Sequence, residues 1–295
     1  MFDTKRSQAA LFMILAAFFL SIVPVFVKLI PADSGIQTTQ KLFMRGAIAA
    51  VILAVVLRAR GISFRPGGPV LLGARSLFGI AGMLAYFIAV ENMPLAEAVT
   101  INKLSPFFVL ILSWLFLGER LKKIQILAVF LGFAGVIVIL KPVSIPITLP
   151  AGFAILSALF AGSAYTTLRA LRKTDRPLLV VFWFSAATTL FFLPFVILGR
   201  VIPDLRSLVF LVCIGLSGTA GQLLMTKAYR CAPGGEVAIY GYLSVLFSML
   251  WQILIFDSVP DAAVFTGAGL ILIGGWINYF SRKNRDGGFL IHKRE

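Results

Sequence analysis

Histidine, cysteine and acidic residues are all scarce in this chain of 295 residues. The single histidine, His292, lies in a polar tail, and the two cysteines, Cys213 and Cys231, show no pairing pattern. These counts exclude a His-based catalytic triad, a metal site built on His or Cys, and a disulfide framework. Charged residues make up only 13% of the chain. Soluble domains carry about 25%, so a soluble globular fold is excluded as well.

Two motifs of energy-coupled and hydrolytic proteins are also missing. The sequence has no G-x-x-x-x-G-K-[ST] loop, which argues against a self-contained ATP-driven pump, and no H-E-x-x-H zinc motif. An enzyme acting on lipid-linked substrates would need acidic or histidine residues clustered at one membrane face, and the acidic residues here are too scattered. We therefore predict a protein that is not an enzyme and that holds no metal and no cofactor.

Long apolar runs make up most of the sequence. The chain is 59% hydrophobic with a mean hydropathy of +0.97, and about twenty apolar residues in a helix cross the hydrocarbon core of a bilayer. Ten runs approach that length, at residues 9–27, 40–57, 70–90, 95–117, 124–140, 150–171, 178–198, 207–229, 236–256 and 262–280. This pattern predicts an all-α integral membrane protein with ten transmembrane helices.

The basic residues lie mostly in the short loops between these runs, and they orient the chain. If the N-terminus is cytoplasmic, 19 Lys and Arg residues fall on the inner side and five on the outer side. Inner loops are the ones that carry positive charge, so we predict a multi-pass protein of the cytoplasmic (inner) membrane with both termini cytoplasmic. The net charge of +15 then needs no nucleic-acid partner. The expected partners are the lipid bilayer and a small molecule, in a monomer or a homodimer.

The second half of the chain repeats the first. An offset of 139 residues places Pro94 on Pro233 and Glu97 on Glu236. Because five spans are an odd number, the two halves must lie in the membrane in opposite orientations, and an inverted repeat places a substrate site near the midplane between them. The predicted units are two inverted five-helix repeats and a basic cytoplasmic tail, at residues 1–145, 146–281 and 282–295.

Lys103 is the strongest candidate for contact with a substrate. It lies about eight residues from the outer end of the fourth span, which is roughly 12 Å along a helix. Ionisable groups at such depth usually line a cavity. Pro106 follows it and frees a backbone carbonyl, which is tolerated where a cavity or a neighbour satisfies that group. Asn102 could add a hydrogen bond there. The alternative is that Lys103 snorkels to the interface.

Three more cations lie within the second and third spans. Arg45 lies about five residues into the second span from the outer side, and Lys41 lies one turn before it on the same face. We expect Lys41 to snorkel, and we leave Arg45 open between a cavity and the interface. Arg75 lies near the inner end of the third span, and we expect it to snorkel to cytoplasmic lipid head groups.

Glu97 and Glu236 each lie in the first turn of a span, where a carboxylate stabilises the helix N-terminus. The alternative is a gating or proton-coupling role, with Glu97 paired to Lys103 or Glu236 paired to Lys227. Aromatic and amide side chains are predicted to form the walls of the cavity: Tyr86, Trp183, Gln222, Tyr240 and Tyr242.

The charges in the outer half of the bundle favour an anionic substrate. Lys41, Arg45 and Lys103 outweigh Glu97 there, and their counterparts in the second half are the neutral residues Val181, Ser185 and Tyr242. A cavity with this charge attracts a carboxylate or another anion.

Several stretches resemble the EamA family of the drug/metabolite transporter superfamily. They include Leu95-Ala96-Glu97-Ala98 leading to Ser105-Pro106, then Leu117-Gly118-Glu119-Arg120 and Tyr240-Gly241-Tyr242-Leu243. The resemblance covers residues 9–280 and implies secondary transport of a small metabolite by alternating access. Relatives handle amino acids, S-adenosylmethionine, riboflavin, choline or nucleotide sugars. At the end of the ninth span Asp257-Ser258 replaces a second Gly-Glu, which would leave the inner and outer gates unequal.

The resulting prediction is a gradient-driven or exchange carrier for a small polar metabolite that is amino-acid-like or carboxylate-bearing. Two alternatives stay open: a non-transporting membrane sensor or scaffold of the same fold, and a carrier for a cationic or vitamin-type solute.

Overall fold

The chain folds into a bundle of α-helices with no strand in the residues described. The computed structural model describes residues 4–118, 122–140, 148–171, 175–199, 201–231 and 238–291. The helices are α1 (Thr4–Leu29), α2 (Thr38–Ala59), α3 (Pro69–Asn92), α4 (Leu95–Asn102), α5 (Ser105–Leu117), α6 (Lys123–Leu140), α7 (Leu149–Leu171), α8 (Pro177–Gly199), α9 (Leu205–Cys231), α10 (Leu243–Phe256) and α11 (Ala262–Ile291). Two short 3-10 helices cover Ala32–Ser34 and Ala238–Tyr242.

The helices are long and apolar enough to account for the predicted spans. Within the described ranges, nine helical segments have the length and hydropathy to cross a membrane, and Tyr240–Phe256 forms a shorter apolar helix. One of the nine, Leu95–Phe116, is built from α4 and α5 together. The prediction of an all-α membrane protein with ten apolar spans is confirmed.

The fourth and ninth spans are both interrupted. Between α4 and α5 the chain makes two i→i+3 hydrogen bonds, from Lys103 N to Thr100 O and from Leu104 N to Ile101 O, each 3.0 Å long. Pro106 lies in the first turn of α5, where a missing N–H costs nothing. In the ninth span the 3-10 helix ends at Tyr242, directly before α10. Since the offset of 139 maps Lys103 onto Tyr242, the two interruptions occupy equivalent positions.

The two halves differ in sequence at the end of the fourth and ninth spans, where Asp257 stands in place of Gly118, but the backbone conformation is the same at both positions. Gly118 ends α5 in the left-handed conformation with φ 66°. Its counterpart Asp257 ends α10 in the same conformation with φ 48°. Aspartate tolerates this region better than most residues other than glycine, so both interrupted spans end with the same turn.

The largest helix contacts join one half of the chain to the other. They pair α1 with α9, α2 with α8, α3 with α7 and α6 with α11. Gly46 of α2 lies against Ser185 and Thr189 of α8, whereas Leu53 and Leu57, nearer the C-terminal end of α2, pack on the start of α8. The second and seventh spans, which are counterparts, therefore run antiparallel. This is the packing that an inverted repeat predicts.

The contact between the fifth and tenth spans is reciprocal. A Cβ on Gly135 of α6 would lie 2.5 Å from the carbonyl oxygen of Gly267 and 2.8 Å from a side-chain carbon of Ile271. A Cβ on Gly267 would likewise meet the carbonyl of Gly135 and the side chain of Ile139. Small residues allow helices to approach this closely in lipid. The two helices therefore cross at Gly135 and Gly267, where neither backbone carries a side chain.

Gly267→Ala should lower the melting temperature of the purified protein in detergent. The new methyl group would overlap the Gly135 carbonyl, and such overpacking costs about 1–3 kcal/mol. Gly269→Ala is the matched control, because Gly269 lies two residues away on the same helix and has open space around its Cβ position. Equal melting temperatures for the two variants would contradict this account of the helix crossing.

Candidate functional site

A cleft lies between α2, α8 and α9, with one residue of α3 at its edge. It contains about 440 Å³ of space, its open side included. Its walls are mostly apolar with a few polar groups, as is usual for ligand sites. The lining residues of α2 and α3 are Arg45, Gly46, Ala49, Leu53 and Met83, and those of α8 and α9 are Leu178, Val181, Phe184, Ser185, Thr188, Gly218, Thr219, Gln222, Leu223 and Thr226.

Arg45 is the charged group of this cleft. One guanidinium nitrogen, Nη1, donates to the sulfur of Met83. The Nε atom is buried and has no hydrogen-bond partner among the described residues. Gly218 of α9 makes room for it, since a Cβ there would lie 3.0 Å from Arg45 Nε. Of the two alternatives for Arg45, the structure places it in a cavity.

Hydroxyl and amide groups line the part of the cleft that α8 and α9 form. Ser185 and Thr188 of α8 donate to carbonyl oxygens one turn back, at 2.9 and 2.7 Å. Thr219 and Thr226 of α9 do the same at 2.7 and 2.8 Å. Gln222 adds a side-chain amide on the same helix. The cleft therefore offers a cation, hydroxyl oxygens and an amide within an otherwise apolar surface.

Arg75 is buried, so the expectation that it snorkels to lipid head groups is wrong. Only 8% of the residue is exposed, and its guanidinium carbon lies 4.3 Å from the ring centroid of Phe184. Its Nε and Nη1 atoms are buried without a hydrogen-bond partner among the described residues. Gly79 of α3 leaves the space that the guanidinium and the Phe184 ring share. The sequence signal was present, because Arg75 is an ionisable residue inside an apolar run.

Lys41 is also buried, and the expectation that it snorkels is wrong as well. Its Nζ atom forms an ion pair with Glu91 Oε1 at 2.8 Å and donates to the carbonyl oxygen of Val27 at 3.1 Å. The second oxygen of Glu91 accepts from the Thr38 hydroxyl at 2.6 Å. The charge of Lys41 is therefore neutralised within the first half and is not available to a ligand.

Lys103 lies at the meeting point of the two interrupted spans and does not line the cleft. Its half-buried side chain donates to the carbonyl oxygen of Gly241 at 3.2 Å. The neighbouring Asn102 donates to the Ser157 hydroxyl of α7 at 2.9 Å. Tyr242 packs against Gly275 of α11. Tyr240 is exposed.

Glu97 is half-buried and lies within electrostatic reach of Lys28, in the last turn of α1. The Lys28 Nζ atom donates to the carbonyl oxygen of Met93 at 2.7 Å. Among the described residues no ion pair joins Glu97 to Lys103. Glu236 lies outside the described residues.

Trp183 and Lys227 lie away from the cleft, whereas Tyr86 lies close to Arg45. The Trp183 ring nitrogen donates to the Phe64 carbonyl at 3.0 Å, which ties the loop after α2 to α8. Lys227 is exposed, with its Nζ 5.8 Å from the ring centroid of Phe12. Tyr86 is half-buried and interacts electrostatically with Arg45. Of the predicted wall residues, Gln222 lines the cleft and Tyr86 lies near its cation.

A bundle of membrane-length helices with a cationic cleft between its halves is the architecture of a membrane transporter. The chain matches the EamA-like transporter family over residues 7–141 and 148–280, and it belongs to that family. The two matched stretches correspond to the two repeats. The family resemblance noted from the sequence is confirmed.

Similar proteins from bacteria and mammals are transporters by name. The chain is 32% identical to the pseudopaline exporter CntI of Pseudomonas aeruginosa strain UCBPP-PA14 over 269 residues, which cover 90% of this chain and 94% of that protein. It is 26% identical to a riboflavin transporter of Rhizobium johnstonii, over 91% of this chain and 90% of that protein. It is 27% identical to solute carrier family 35 member G1 of Mus musculus, over 88% of this chain and 75% of that protein.

The fold also matches a solved crystal structure. The two superpose with a TM-score of 0.67, over 92% of this chain and 97% of the other. Their sequences are 22% identical, so this match establishes the fold alone.

Lys41→Met should destabilise the protein by about 3 kcal/mol, because it leaves the Glu91 carboxylate without its cation in a largely buried setting. The double variant Lys41→Met/Glu91→Gln should recover most of this loss, since both charges are then gone. Denaturant titration in detergent micelles measures the difference. Lys123→Met, at an exposed helix start, is the control and should be neutral. Equal losses in the single and double variants would refute the pairing.

Proposed function

We propose that the protein is a secondary transporter for a small, amino-acid-like metabolite that bears a carboxylate, working by alternating access across the cytoplasmic membrane. It acts as a carrier and not as an enzyme. The observation that carries the substrate class is Arg45, a cation in a mostly apolar cleft, whose Nε donor has no partner among the described residues.

A guanidinium in an apolar interior needs a compensating anion. In the part of the chain that the structure describes, no carboxylate lies within ion-pair distance of Arg45. Removing such a charge from water costs several kcal/mol, and a bound carboxylate offsets that cost through charge-assisted hydrogen bonds that Arg forms with matched geometry. The hydroxyls of Ser185 and Thr188 and the amide of Gln222 would bind the remaining polar groups of the substrate.

The interrupted spans provide the second part of the proposal. Carriers built from inverted repeats bind substrate where discontinuous helices meet near the midplane. Lys103 lies where the two interrupted spans meet, and its Nζ atom donates to the carbonyl oxygen of Gly241. We assign it as a second charge partner that the substrate reaches as the halves rearrange, with Asn102, Tyr240 and Tyr242 as neighbouring walls.

We assign the remaining predicted residues to positions at the ends of the transport path or outside it. Glu97, beside Lys28 at the proposed outer end, is assigned to gating or coupling. Glu236 and Lys227 are assigned to the same role. Trp183 holds the loop after α2 through its hydrogen bond to Phe64, so we assign it a supporting position instead of a wall of the site.

The relatives support transport of a small organic solute without fixing its chemistry. One similar protein is named for pseudopaline and another for riboflavin. The carboxylate in the proposal therefore rests on Arg45 and not on either name. A vitamin-type solute remains the alternative, and riboflavin belongs in any ligand screen.

Arg45→Gln should weaken carboxylate binding at least about tenfold. A hydrogen bond to a charged group contributes about 1.5–3 kcal/mol, and about 1.4 kcal/mol is a factor of ten. Amino acids, S-adenosylmethionine, simple carboxylates, nucleosides and riboflavin are screened by thermal shift on purified protein. The leading compound is then tested by counterflow in liposomes, with Arg58→Gln as the control because Arg58 is exposed at the inner end of α2.

Three outcomes separate the alternatives. Binding of cations or riboflavin alone, unchanged in Arg45→Gln, would overturn the substrate class. Ligand stabilisation without counterflow would favour the sensor or scaffold. Carboxylate-dependent counterflow that Arg45→Gln abolishes supports the proposal.

Lys103→Ala should reduce counterflow of the same compound by an order of magnitude or more, while Arg58→Gln retains wild-type rates. The physical reason is that Lys103 is the cation where the two interrupted spans meet, and its removal leaves the substrate's anion unpaired at that depth. Wild-type rates in Lys103→Ala would remove this residue from the transport path and leave Arg45 as the sole charge partner.

A further inference from the structure

We infer that the substrate carries two anionic groups, one bound by Arg45 and the other by Arg75. This inference rests on the proposed function and narrows its substrate class from a carboxylate to a dicarboxylate or an equivalent dianion. Arg75 would form the second half of the site. It lies behind Phe184, whose ring lines the cleft on one side and covers the Arg75 guanidinium.

Arg75 has unused donors in a buried position. More than nine-tenths of the residue is buried, and two of its nitrogen atoms, Nε and Nη1, have no partner among the described residues. The Phe184 ring stabilises the positive charge through its face, but it accepts no N–H hydrogen bond in the guanidinium plane. A residue retained only for packing would cost less as an apolar side chain, because an unpaired buried charge is strongly unfavourable.

The two guanidinium groups lie close together. Arg75 extends along α3 until its Nη1 atom reaches the surface of Gly79. Arg45 contacts Met83, one turn further along the same helix. One turn rises about 5.4 Å, so the two groups are within roughly 10 Å of each other. They lie within electrostatic reach of each other, and Tyr165 lies within electrostatic reach of both.

This arrangement has positive charge and, among the described residues, no anion paired with it. Two like charges at such a distance in an apolar interior repel each other. In the described part of the chain neither has a carboxylate within ion-pair distance, and three of their guanidinium nitrogen atoms have no hydrogen-bond partner. A ligand with two carboxylates supplies both compensating charges and acceptors for all three donors. A ligand with one carboxylate leaves one arginine uncompensated.

Gly79 supports this assignment because its lack of a side chain leaves room for the Arg75 guanidinium and the Phe184 ring. A Cβ at Gly79 would meet Arg75 Nη1 and would lie 2.6 Å from Cε2 of Phe184. The helix therefore lacks a side chain at the point where the guanidinium and the ring meet. Gly79→Ala would displace one of them without changing any charge.

The test compares matched ligands that differ only in the second charge. L-Glutamate is paired with L-glutamine, and α,ω-dicarboxylates from malonate to adipate are paired with their monoamides. Binding is measured by thermal shift and by competition in counterflow, using wild type, Arg75→Gln, Arg75→Lys and Arg45→Gln. Arg206→Gln is the control, because Arg206 also stacks on a phenylalanine, Phe210, but at an exposed position of α9.

In wild type, we expect at least one dicarboxylate to bind ten or more times as tightly as its monoamide. Arg75→Gln should remove this preference and leave the affinity for the monoamide unchanged, whereas Arg45→Gln should weaken both ligands. Arg75→Lys should restore part of the preference, and Gly79→Ala should reduce it. The melting temperature of ligand-free Arg75→Gln should not fall, since the variant removes an unpaired buried charge.

Other patterns overturn the inference. Equal affinity for each acid and its monoamide in wild type would reject the second anion while leaving the proposed function intact. An equal loss for both ligands in Arg75→Gln would show that Arg75 only supports the fold. If no carboxylate of either kind binds, the proposed function fails and this inference fails with it.

Discussion

A guanidinium group without an anion, held inside an apolar bundle, is the constraint on which the proposed chemistry of this protein depends. The fold treats the cations Lys41, Arg45, Arg75 and Lys103 of the first four spans differently. Lys41 is paired with Glu91, Lys103 reaches a backbone carbonyl, and Arg75 is covered by an aromatic ring. Arg45 is left with a sulfur contact and an unused donor. A charge left in this way is costly, which is the reason that the proposed substrate carries the opposite charge.

The bundle creates this environment by packing one half of the chain against the other. The cleft lies where α2 of the first half meets α8 and α9 of the second, and Gly218 leaves space for the arginine that extends between them. The interruptions at Lys103 and Tyr242 meet at a second contact between the halves. A movement of one half relative to the other would therefore change the cleft and the interruptions together, which is what alternating access requires.

Much of the fold was predictable from the sequence, because apolar runs of membrane length have few alternative structures. The ten spans, the interruption near Pro106 and the equivalence of Lys103 and Tyr242 all follow from spacing and composition. The candidate site was predictable only in part. Arg45 and Gln222 line the cleft, but Trp183 binds a loop carbonyl instead, and Lys41 and Arg75 are buried where snorkelling was expected.

The sequence by itself determined the number of spans, their apolar character and the repeat, because these depend on local composition and on the length needed to cross a bilayer. Only the tertiary structure decided which cations are neutralised and which are left for a ligand. Whether a lysine or arginine is paired depends on residues far away in the chain: Glu91 is 50 positions from Lys41, and Phe184 is supplied to Arg75 by the other half. No local pattern encodes those encounters, since they arise only when helices that are distant in the sequence pack together.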